Sequence, residues 1–456
     1  MKKYLSSYWI RSAFYTFLQR FSLTIFGLAN FMILIRSLSD KNKTQMSVWA
    51  LFVTVTTIFE ATKSSLLKNA HIKYVSGDVH SPGKTAIASS SLLINALINL
   101  IFIVFILLFA NWFSDLFHMG DYLAGMLRWY IPGMIGMVFF SHFEAIQQSH
   151  FDFKGVFAGN LVRQAAFFSV IFAHFLMKEP FSLTHLAIYQ SASILPGTIT
   201  IYFFSRKYLL YRFDPSIAWI RKILGYGGYI FGSGIISNVF SNLDQLMTGA
   251  FLSLFSGAVA TYNAATRINT FIDIPSYAAT EILFPKLSQA VEKEGTQKVR
   301  YLYERMVSVL LAVIIPAAIF VILVPGFVIH VIAGPGYEAA VPILQLYMLN
   351  SVIGTMQNQA ANTLNSIGRP GLCLALNAIS LSAKLLITYL CLKGFGFYGA
   401  AIGTVITSVI SGTLWYIMMS RQIGSSLVNV LRYIPDNYRI VYANAVRIVS
   451  RDRARA

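Results

Sequence analysis

Several basic residues lie deep inside long apolar stretches of the sequence, where a charge is costly. Arg20, Arg163, Arg267 and Lys384 have this position, and Arg128 lies nearer to the end of its apolar stretch. Charges at membrane depth usually face a polar interior or a partner of opposite sign. The guanidinium group of arginine presents a planar fork of N–H donors that matches the oxygens of a phosphate group. Such cations on different segments therefore predict a cavity that binds an anion.

Acidic residues at similar depth leave a second interpretation open. Arg267 could pair with Asp273, and Lys384 could pair with Asp244. In this interpretation each cation meets an acid only to join two helices. The deep cations outnumber the deep acids, which favours the anion-binding interpretation for the set. A lipid diphosphate is an anion that fits this interpretation.

The composition indicates that membrane-spanning helices position these residues. Of 456 residues, 56% are apolar and 12% are charged, whereas an ordinary soluble domain carries about 25% charged residues. The sequence has 36 basic and 18 acidic residues, which gives a formal charge of +18. We attribute this excess to Lys and Arg in cytoplasmic loops that face anionic lipid, and not to a nucleic-acid partner. The sequence predicts an all-α polytopic membrane protein.

About twelve apolar blocks of roughly 20 residues each predict the spanning helices. A long basic break after the sixth block, RKYLLYRFDPSIAWIRK, divides the blocks into two halves. We expect an N-terminal six-helix bundle over 1–210, a C-terminal six-helix bundle over 211–420 and a basic cytoplasmic tail over 421–456. The predicted spans are 12–36, 45–67, 85–110, 122–146, 155–177, 183–205, 223–251, 256–283, 304–329, 339–366, 371–392 and 397–420.

The Lys and Arg residues outside these spans indicate the orientation of the chain. They fall mainly in the segments that share a side with the N-terminus, so the positive-inside rule predicts that both termini are cytoplasmic. In the tail, arginines alternate with Val and Ile. This composition suits either a segment that binds the membrane surface or a partly disordered one.

Motifs of catalytic or metal sites are missing from the sequence. It has no P-loop, no HExxH spacing and no GxSxG elbow, and the predicted external connections are short. Glu60 and Lys63 have the i,i+3 spacing of a local ion pair. Cys373 and Cys391 stand too far apart along one predicted helix to form a disulfide. We expect a protein that is not an enzyme and has neither a metal site nor a cofactor.

A series of short motifs in the second half resembles the successive signatures of polysaccharide flippases. Their order and spacing over about residues 222–420 make the chain similar to the Wzx-like oligosaccharide-lipid flippases of the multidrug/oligosaccharidyl-lipid/polysaccharide exporter superfamily. The motifs run from Asn242 to Gln245, Gly257 to Arg267, Phe284 to Ser288, Ala333 to Ala340, Leu364 to Arg369 and Gly396 to Gly403, with Pro275 between the second and the third.

The resemblance implies two six-helix bundles around a central cavity that opens alternately to each side of the membrane. The implied cargo is an undecaprenyl-diphosphate-linked oligosaccharide, which would move from the cytoplasmic to the periplasmic leaflet of the bacterial inner membrane. The implied process is polysaccharide biosynthesis, including that of lipopolysaccharide and O-antigen. Membrane lipid, a polysaccharide polymerase and other assembly proteins are the implied partners.

The resemblance also implies roles for individual residues. Related lipid II flippases carry an arginine in a stretch that Tyr262 to Arg267 matches, and a cavity arginine in the first span, where Arg20 is the counterpart by placement. Sodium sites in related proteins draw on equivalent spans, so Na⁺ or H⁺ could be the coupling ion. The coupling or gating candidates are Asp244, Asp273, Asn377 and Thr404.

Other functions share part of this pattern. A multidrug cation exporter of the same superfamily would be expected to line its cavity with acids, whereas the deep charges here are mainly basic. A membrane-embedded glycan transferase or ligase would use the same lipid-linked sugar, and glycan joining by the purified protein would favour it. A scaffold within an envelope-assembly complex would tolerate substitution of the deep cations.

Overall fold

The computed structural model describes residues 2–38, 43–75, 81–150, 152–209, 213–252 and 257–439. These residues form helices and their connections, without a β-strand. The protein is an all-α polytopic membrane protein, as the sequence predicts. The helices are α1 Lys2–Ser37, α2 Thr44–Val75, α3 Ser81–Leu116, α4 Gly120–Trp129, α5 Ile131–Ser149, α6 Phe153–Met177, α7 Leu183–Ser205, α8 Ile217–Phe251, α9 Ala258–Ile272, α10 Ile274–Lys293, α11 Thr296–Leu323, α12 Pro325–Ala333, α13 Ala340–Ser366, α14 Pro370–Phe395, α15 Gly399–Ile423 and α16 over 427–439.

Each predicted span falls on one of these helices or on two consecutive ones. Within the described residues, five helical stretches are long and apolar enough to cross a bilayer, or six if α4 and α5 form one bent span. The bend between α4 and α5 is 41°. The number of twelve spans therefore stays a prediction.

Prolines begin some helices and interrupt others. Pro132 and Pro275 lie in the first turn of α5 and α10, where the missing N–H group has no partner to lose. Pro196 and Pro316 lie inside α7 and α11. An interior proline leaves the carbonyl four residues earlier without its helical donor, and in a membrane that carbonyl needs another partner.

Close packing of the helices divides the chain into two compact units. Unit 1 is Met1–Asn263 with Ile332–Gly334, and unit 2 is Ala264–Val331 with Pro335–Ala456. This division does not fall at the predicted boundary after residue 210, because α8 packs along α2 and α3. The two six-helix bundles over 1–210 and 211–420 stay a prediction.

Glycines allow close approach of helices α6 and α7 in unit 1. A Cβ added at Gly159 on α6 would lie 2.9 Å from the Cβ of Ile201 on α7. A Cβ added at Gly197 on α7 would lie 2.7 Å from the Cβ of Arg163 on α6. Small residues let membrane helices meet at such distances. The backbone of α7 therefore packs directly against the base of the Arg163 side chain.

The predicted ion pair on α2 is confirmed and also joins α2 to its neighbour in unit 1. The Nζ of Lys63 lies 2.9 Å from Oε1 of Glu60. The same ammonium group donates to Oδ1 of Asn99 on α3 at 2.9 Å. Lys63 is buried, so both oxygens compensate a charge that solvent does not reach.

Helix α13 carries a polar seam through unit 2. The side-chain amide of Gln359 donates to the Ser276 carbonyl at 3.1 Å and to the Thr280 hydroxyl at 3.0 Å, both on α10. On another face, the amide of Gln357 donates to the Ser411 hydroxyl on α15 at 2.9 Å. An apolar cluster in unit 2 draws on residues of α10, α11, α13, α14, α15 and α16. Hydrogen bonds and apolar packing thus join the same helices.

Candidate functional site

Arg163 lies near the middle of α6, and its described side-chain contacts are with neutral residues. Its Nη2 donates to Oδ1 of Asn160 at 3.4 Å, and its Nη1 lies 3.8 Å from the sulfur of Met137. The guanidinium carbon lies 5.3 Å from the centre of the Phe140 ring. The Nε atom is buried without a hydrogen-bond partner. Among the described residues no carboxylate forms an ion pair with Arg163.

This arrangement leaves the charge of Arg163 available to an anion. An ionised group at membrane depth needs compensation, and the long contacts to an amide oxygen, a thioether and a ring give only part of it. The half-buried side chain retains donors that could bind phosphate oxygens in a bidentate manner. Phe140 is buried, and the guanidinium carbon of Arg163 lies over the face of its ring.

The two other predicted cations of unit 1 are more exposed than Arg163. Arg128 lies in the last turn of α4, is exposed, and donates from Nη2 to Oδ1 of Asn111 at 2.9 Å. Arg20 lies on α1 and is also exposed. No contact described in unit 1 joins either residue to Arg163. Their roles as cavity cations stay predictions.

The remaining predicted cations and their proposed acidic partners are distributed between the units. Arg267 on α9 is half-buried and Lys384 on α14 is buried, and both belong to unit 2. Asp244 on α8 is buried in unit 1. Pairing between Asp244 and Lys384 stays a prediction. The role of Lys384 as a cavity cation also stays a prediction.

Asp273 lies at the junction of α9 and α10 and is bound by a neutral side chain. The amide of Asn269 donates to Oδ2 of Asp273 at 2.9 Å. The hydroxyl of Ser351 on α13 donates to Oδ1 of the same Asn269 at 2.5 Å. Asp273 forms no ion pair among the described residues. The alternative that pairs Arg267 with Asp273 is therefore not the arrangement in the structure.

The two neutral coupling candidates lie on adjacent helices of unit 2. Asn377 is half-buried on α14, and its amide lies 3.8 Å from the sulfur of Cys373. Thr404 is buried on α15, which packs along α14. A Cβ added at the neighbouring Gly403 would lie 2.9 Å from the Cα of Thr388 on α14. The structure thus places Asn377 and Thr404 on helices in close contact.

Polar residues that the sequence interpretation did not single out line both units. In unit 1, Oε1 of Gln245 accepts from the Thr54 hydroxyl at 2.7 Å and from the Asn263 amide at 3.3 Å. In unit 2, the counterpart is the polar seam of α13. The signal that could have revealed them is the density of Asn, Gln, Ser and Thr within otherwise apolar spans, since such residues hydrogen-bond between membrane helices.

Comparison with known proteins establishes the family. Residues 45–342 match the family described as polysaccharide biosynthesis protein. The chain belongs to this family. The predicted resemblance to polysaccharide flippases is confirmed. The chain is 22% identical to the lipopolysaccharide biosynthesis protein WzxC of Escherichia coli over 73% of this chain and 67% of that protein.

Other relatives and solved structures extend this similarity. Two further curated relatives align over only 44% and 42% of their own lengths, so the chain spans less than half of each. The fold is similar to an inward-facing multidrug resistance transporter with a TM-score of 0.75 and 14% identity, covering 90% of this chain and 98% of that one. It is also similar to the inward closed form of the lipid II flippase MurJ, with a TM-score of 0.73 and 14% identity, covering 96% and 93%. These likenesses show the fold.

Proposed function

We propose that this protein is a flippase for a lipid-diphosphate-linked oligosaccharide. The carrier lipid is undecaprenol, and the cargo moves from the cytoplasmic to the periplasmic leaflet of a bacterial inner membrane by alternating access. Both termini are cytoplasmic in this proposal. The product feeds the synthesis of a surface polysaccharide such as O-antigen, together with a polymerase and other assembly proteins. No covalent step is required, so the protein is not an enzyme.

The observation that carries the proposal is the uncompensated charge of Arg163. A half-buried guanidinium with neutral neighbours and one unpartnered buried N–H group is suited to a ligand with several anionic oxygens. Membership of the polysaccharide biosynthesis family supports an oligosaccharide as the remainder of that ligand. The diphosphate would bind the cations, while the polyprenyl chain would remain in lipid.

Binding of undecaprenyl diphosphate tests the role of Arg163 directly. Native mass spectrometry of the detergent-solubilised protein would report the occupied fraction at increasing lipid concentration. We expect Arg163→Gln to weaken binding about ten- to hundredfold, because hydrogen bonds to charged groups contribute about 1.5–3 kcal/mol. Arg163→Lys should retain part of the affinity, since lysine keeps the charge but not the planar fork.

Lys178→Gln is the matched control. Lys178 caps the C-terminal end of the same helix α6 and is exposed, so its substitution removes one positive charge outside the span. Equal loss of affinity in Lys178→Gln and Arg163→Gln would mean that net charge, and not a site at Arg163, governs binding. Unchanged affinity in Arg163→Gln would overturn the proposed anion site.

For energy coupling, we propose Asp273 as the first candidate among Asp244, Asp273, Asn377 and Thr404. Its carboxyl group accepts from Asn269 and has no cationic partner among the described residues. Such a carboxyl group could bind a proton or Na⁺. In liposomes that contain the protein and labelled cargo, a pH gradient and a Na⁺ gradient would be imposed separately. Asp273→Asn should abolish the response to one of them.

A multidrug cation exporter is the second candidate function. The fold likeness to a multidrug resistance transporter and the unpaired carboxyl group of Asp273 favour it. Such an exporter needs acids to attract its substrate, so Asp273→Asn should weaken binding of a cationic dye while Arg163→Gln should not. Dye binding by the unmodified protein, together with no binding of undecaprenyl diphosphate, would favour this function over the flippase.

A further inference from the structure

The C-terminal helix α16 packs along one face of α11 within unit 2. The hydrogen bonds of α11 to α16 and to the residue just before it involve Glu304, Ser308 and Ala312. These three residues are spaced at i, i+4 and i+8 and therefore lie on one face of α11. The amide of Asn437 donates to the Ser308 hydroxyl at 3.0 Å. The hydroxyl of Tyr438 donates to the Ala312 carbonyl at 2.5 Å. The described part of the basic tail is thus a packed element of unit 2, and residues 440–456 lie outside the described residues.

The contact of Tyr438 falls on a carbonyl that α11 cannot satisfy by itself. In an α-helix the carbonyl of Ala312 would accept from the N–H of residue 316. Residue 316 is a proline inside α11, and proline has no N–H to donate. An unsatisfied carbonyl within a membrane costs free energy. The Tyr438 hydroxyl replaces the donor that Pro316 removes.

The Tyr438 contact anchors the end of α16 to α11, and a second set of contacts, around Glu304, anchors its beginning. Glu304 is buried, with 2% of its surface exposed, and its Oε1 accepts from the backbone N–H of Ser426 at 2.8 Å. The amide of Asn429 lies 3.3 Å from the other carboxylate oxygen. Arg300 donates from Nε to Oε1 at 3.0 Å and compensates the charge. Both ends of α16 are therefore attached to α11.

Apolar and aromatic contacts fill the space between the anchors. Val430 is 2% exposed within the apolar cluster that includes Val307 and Leu311 of α11. The ring of Tyr433 lies 5.4 Å from the guanidinium carbon of Arg305. Unlike Tyr438, Tyr433 has no hydroxyl hydrogen bond among the described residues.

We propose that α16 is a strap that limits the bending of α11 at Pro316, with Tyr438 as its positioning residue. A helix that lacks one backbone hydrogen bond at a proline can bend there. The Tyr438 hydroxyl, held in place by α16, completes the hydrogen bonding of the α11 turn before Pro316. It therefore favours one bend angle of α11 over others. The Glu304 anchor limits the positions that Tyr438 can occupy. This inference concerns the shape of α11, and only its effect on transport rests on the proposed function.

Distance measurements along α11 test the strap. Spin labels at Val309→Cys and Leu323→Cys flank Pro316 on exposed positions, in a protein whose buried cysteines Cys373 and Cys391 are replaced by alanine. Double electron–electron resonance would give the distribution of label distances in the full chain. We expect Tyr438→Phe to raise the population of other bends roughly two- to tenfold, as a lost hydrogen bond predicts.

Two variants make the result specific. Tyr433→Phe removes a hydroxyl from the same helix and should leave the distribution unchanged, because that hydroxyl binds nothing on α11. Pro316→Ala restores the N–H that bonds the Ala312 carbonyl, so adding Tyr438→Phe to it should have no further effect. A packing role for the tyrosine would not show this suppression.

Two outcomes would overturn the inference: an unchanged distribution in Tyr438→Phe, or an effect of Tyr438→Phe that persists in the presence of Pro316→Ala. Transport is measured separately, as movement of a labelled lipid-linked oligosaccharide across liposomes. A changed distribution with unchanged lipid binding and transport would support the strap and leave the flippase proposal to its own test.

Discussion

The ammonium group of Lys207 donates a hydrogen bond to Oδ2 of Asp152 at 2.7 Å. Lys207 lies in the short helical turn after α7, and Asp152 lies between α5 and α6. The hydroxyl of Tyr208 donates to the same oxygen at 3.1 Å, and its ring stacks on that of His150 at 4.3 Å. This cluster joins the ends of three helices in unit 1, outside the spanning segments.

The cluster predicts how stability depends on pH. Partial burial opposes ionisation of Asp152, but the hydrogen bonds from Lys207 and Tyr208 outweigh it, so the pKa of Asp152 lies below its ordinary value. The hydrogen bond to Asp152 raises the pKa of Lys207. Asp152 therefore stabilises the fold above about pH 4 and loses this contribution as the pH falls through its folded pKa. Lys207 contributes below about pH 10 and loses its contribution as the pH rises through its folded pKa.

We expect Asp152→Asn to lower the free energy of unfolding at neutral pH by about 0.2–1 kcal/mol, since the ion pair is partly exposed. The difference from the unmodified protein should disappear at low pH, where both carry a neutral side chain. Thermal unfolding in detergent over a series of pH values would measure it. A difference that stays constant at every pH would contradict the prediction.

The polar seam of α13 makes a prediction about unit 2. Gln359 is fully buried and its amide donates to both Ser276 and Thr280. Gln359→Leu keeps the approximate volume and removes these donors. Interhelical hydrogen bonds in membranes contribute about 0.6 kcal/mol on average and up to about 1.7, so we expect a loss of stability of about this size.

Asn358→Leu is the control for the seam. Asn358 is the preceding residue on α13 and is exposed, so its substitution changes polarity without removing an interhelical bond. Thermal unfolding midpoints of the two variants in the same detergent would be compared. Equal effects would mean that the polarity of α13, and not the bond to α10, determines stability.

The apolar blocks of the sequence located the helices because hydrophobic length is a direct requirement of the bilayer. The contacts of Gln359 and of Tyr438 were not predictable in this way. Each joins residues that are far apart in the chain, and the tail composition gave no indication that Tyr438 would meet the carbonyl released by Pro316.

The candidate site was predictable only as a set of residue types. The sequence placed both Arg163 and Arg128 among the cavity cations, with Arg128 nearer to the end of its predicted span. The structure distinguishes them, because Arg163 has neutral, buried surroundings whereas Arg128 is exposed and bound to Asn111. Likewise the sequence offered Asp273 as a partner for Arg267, and the contact with Asn269 replaces that pairing. Which side chain a polar group binds depends on how the helices pack, and the spacing of residues in the sequence does not determine it.

The predicted topology can be tested by reporter fusions. If twelve segments span and both termini are cytoplasmic, fusions at Gly120, Pro180 and Gly336 should report the periplasm, and fusions at Ser288 and Ser425 the cytoplasm. The first three lie at or between helix ends in the structure. Alkaline phosphatase and green fluorescent protein would serve as the paired reporters. A reversed pattern in either set would show that the number of spans is wrong.

Arg267 gives the prediction that bears most directly on mechanism. It is half-buried on α9, in the stretch from Tyr262 that matches the lipid II flippases, and Asp273 is bound to Asn269 and does not pair with it. We expect Arg267→Ala to abolish complementation of a flippase-deficient strain at normal protein abundance. Arg267→Lys should retain part of the activity because it keeps the charge without the planar fork, and Arg267→Glu should be the most damaging because it repels a diphosphate.

The charge-swapped double variant, Arg267→Asp with Asp273→Arg, separates anion binding from helix joining. If the two residues only joined helices, exchanging their charges would restore the attraction between them, and transport would recover. If Arg267 binds the diphosphate, the swap removes the cation from its position, and the double variant should be as inactive as Arg267→Ala. Complementation with immunoblotting of the membrane fraction would measure this. Recovery in the double variant would show that Arg267 does not bind the diphosphate. Because Asp273 is also the coupling candidate, inactivity at normal abundance supports the anion site only if Asp273→Arg alone retains complementation.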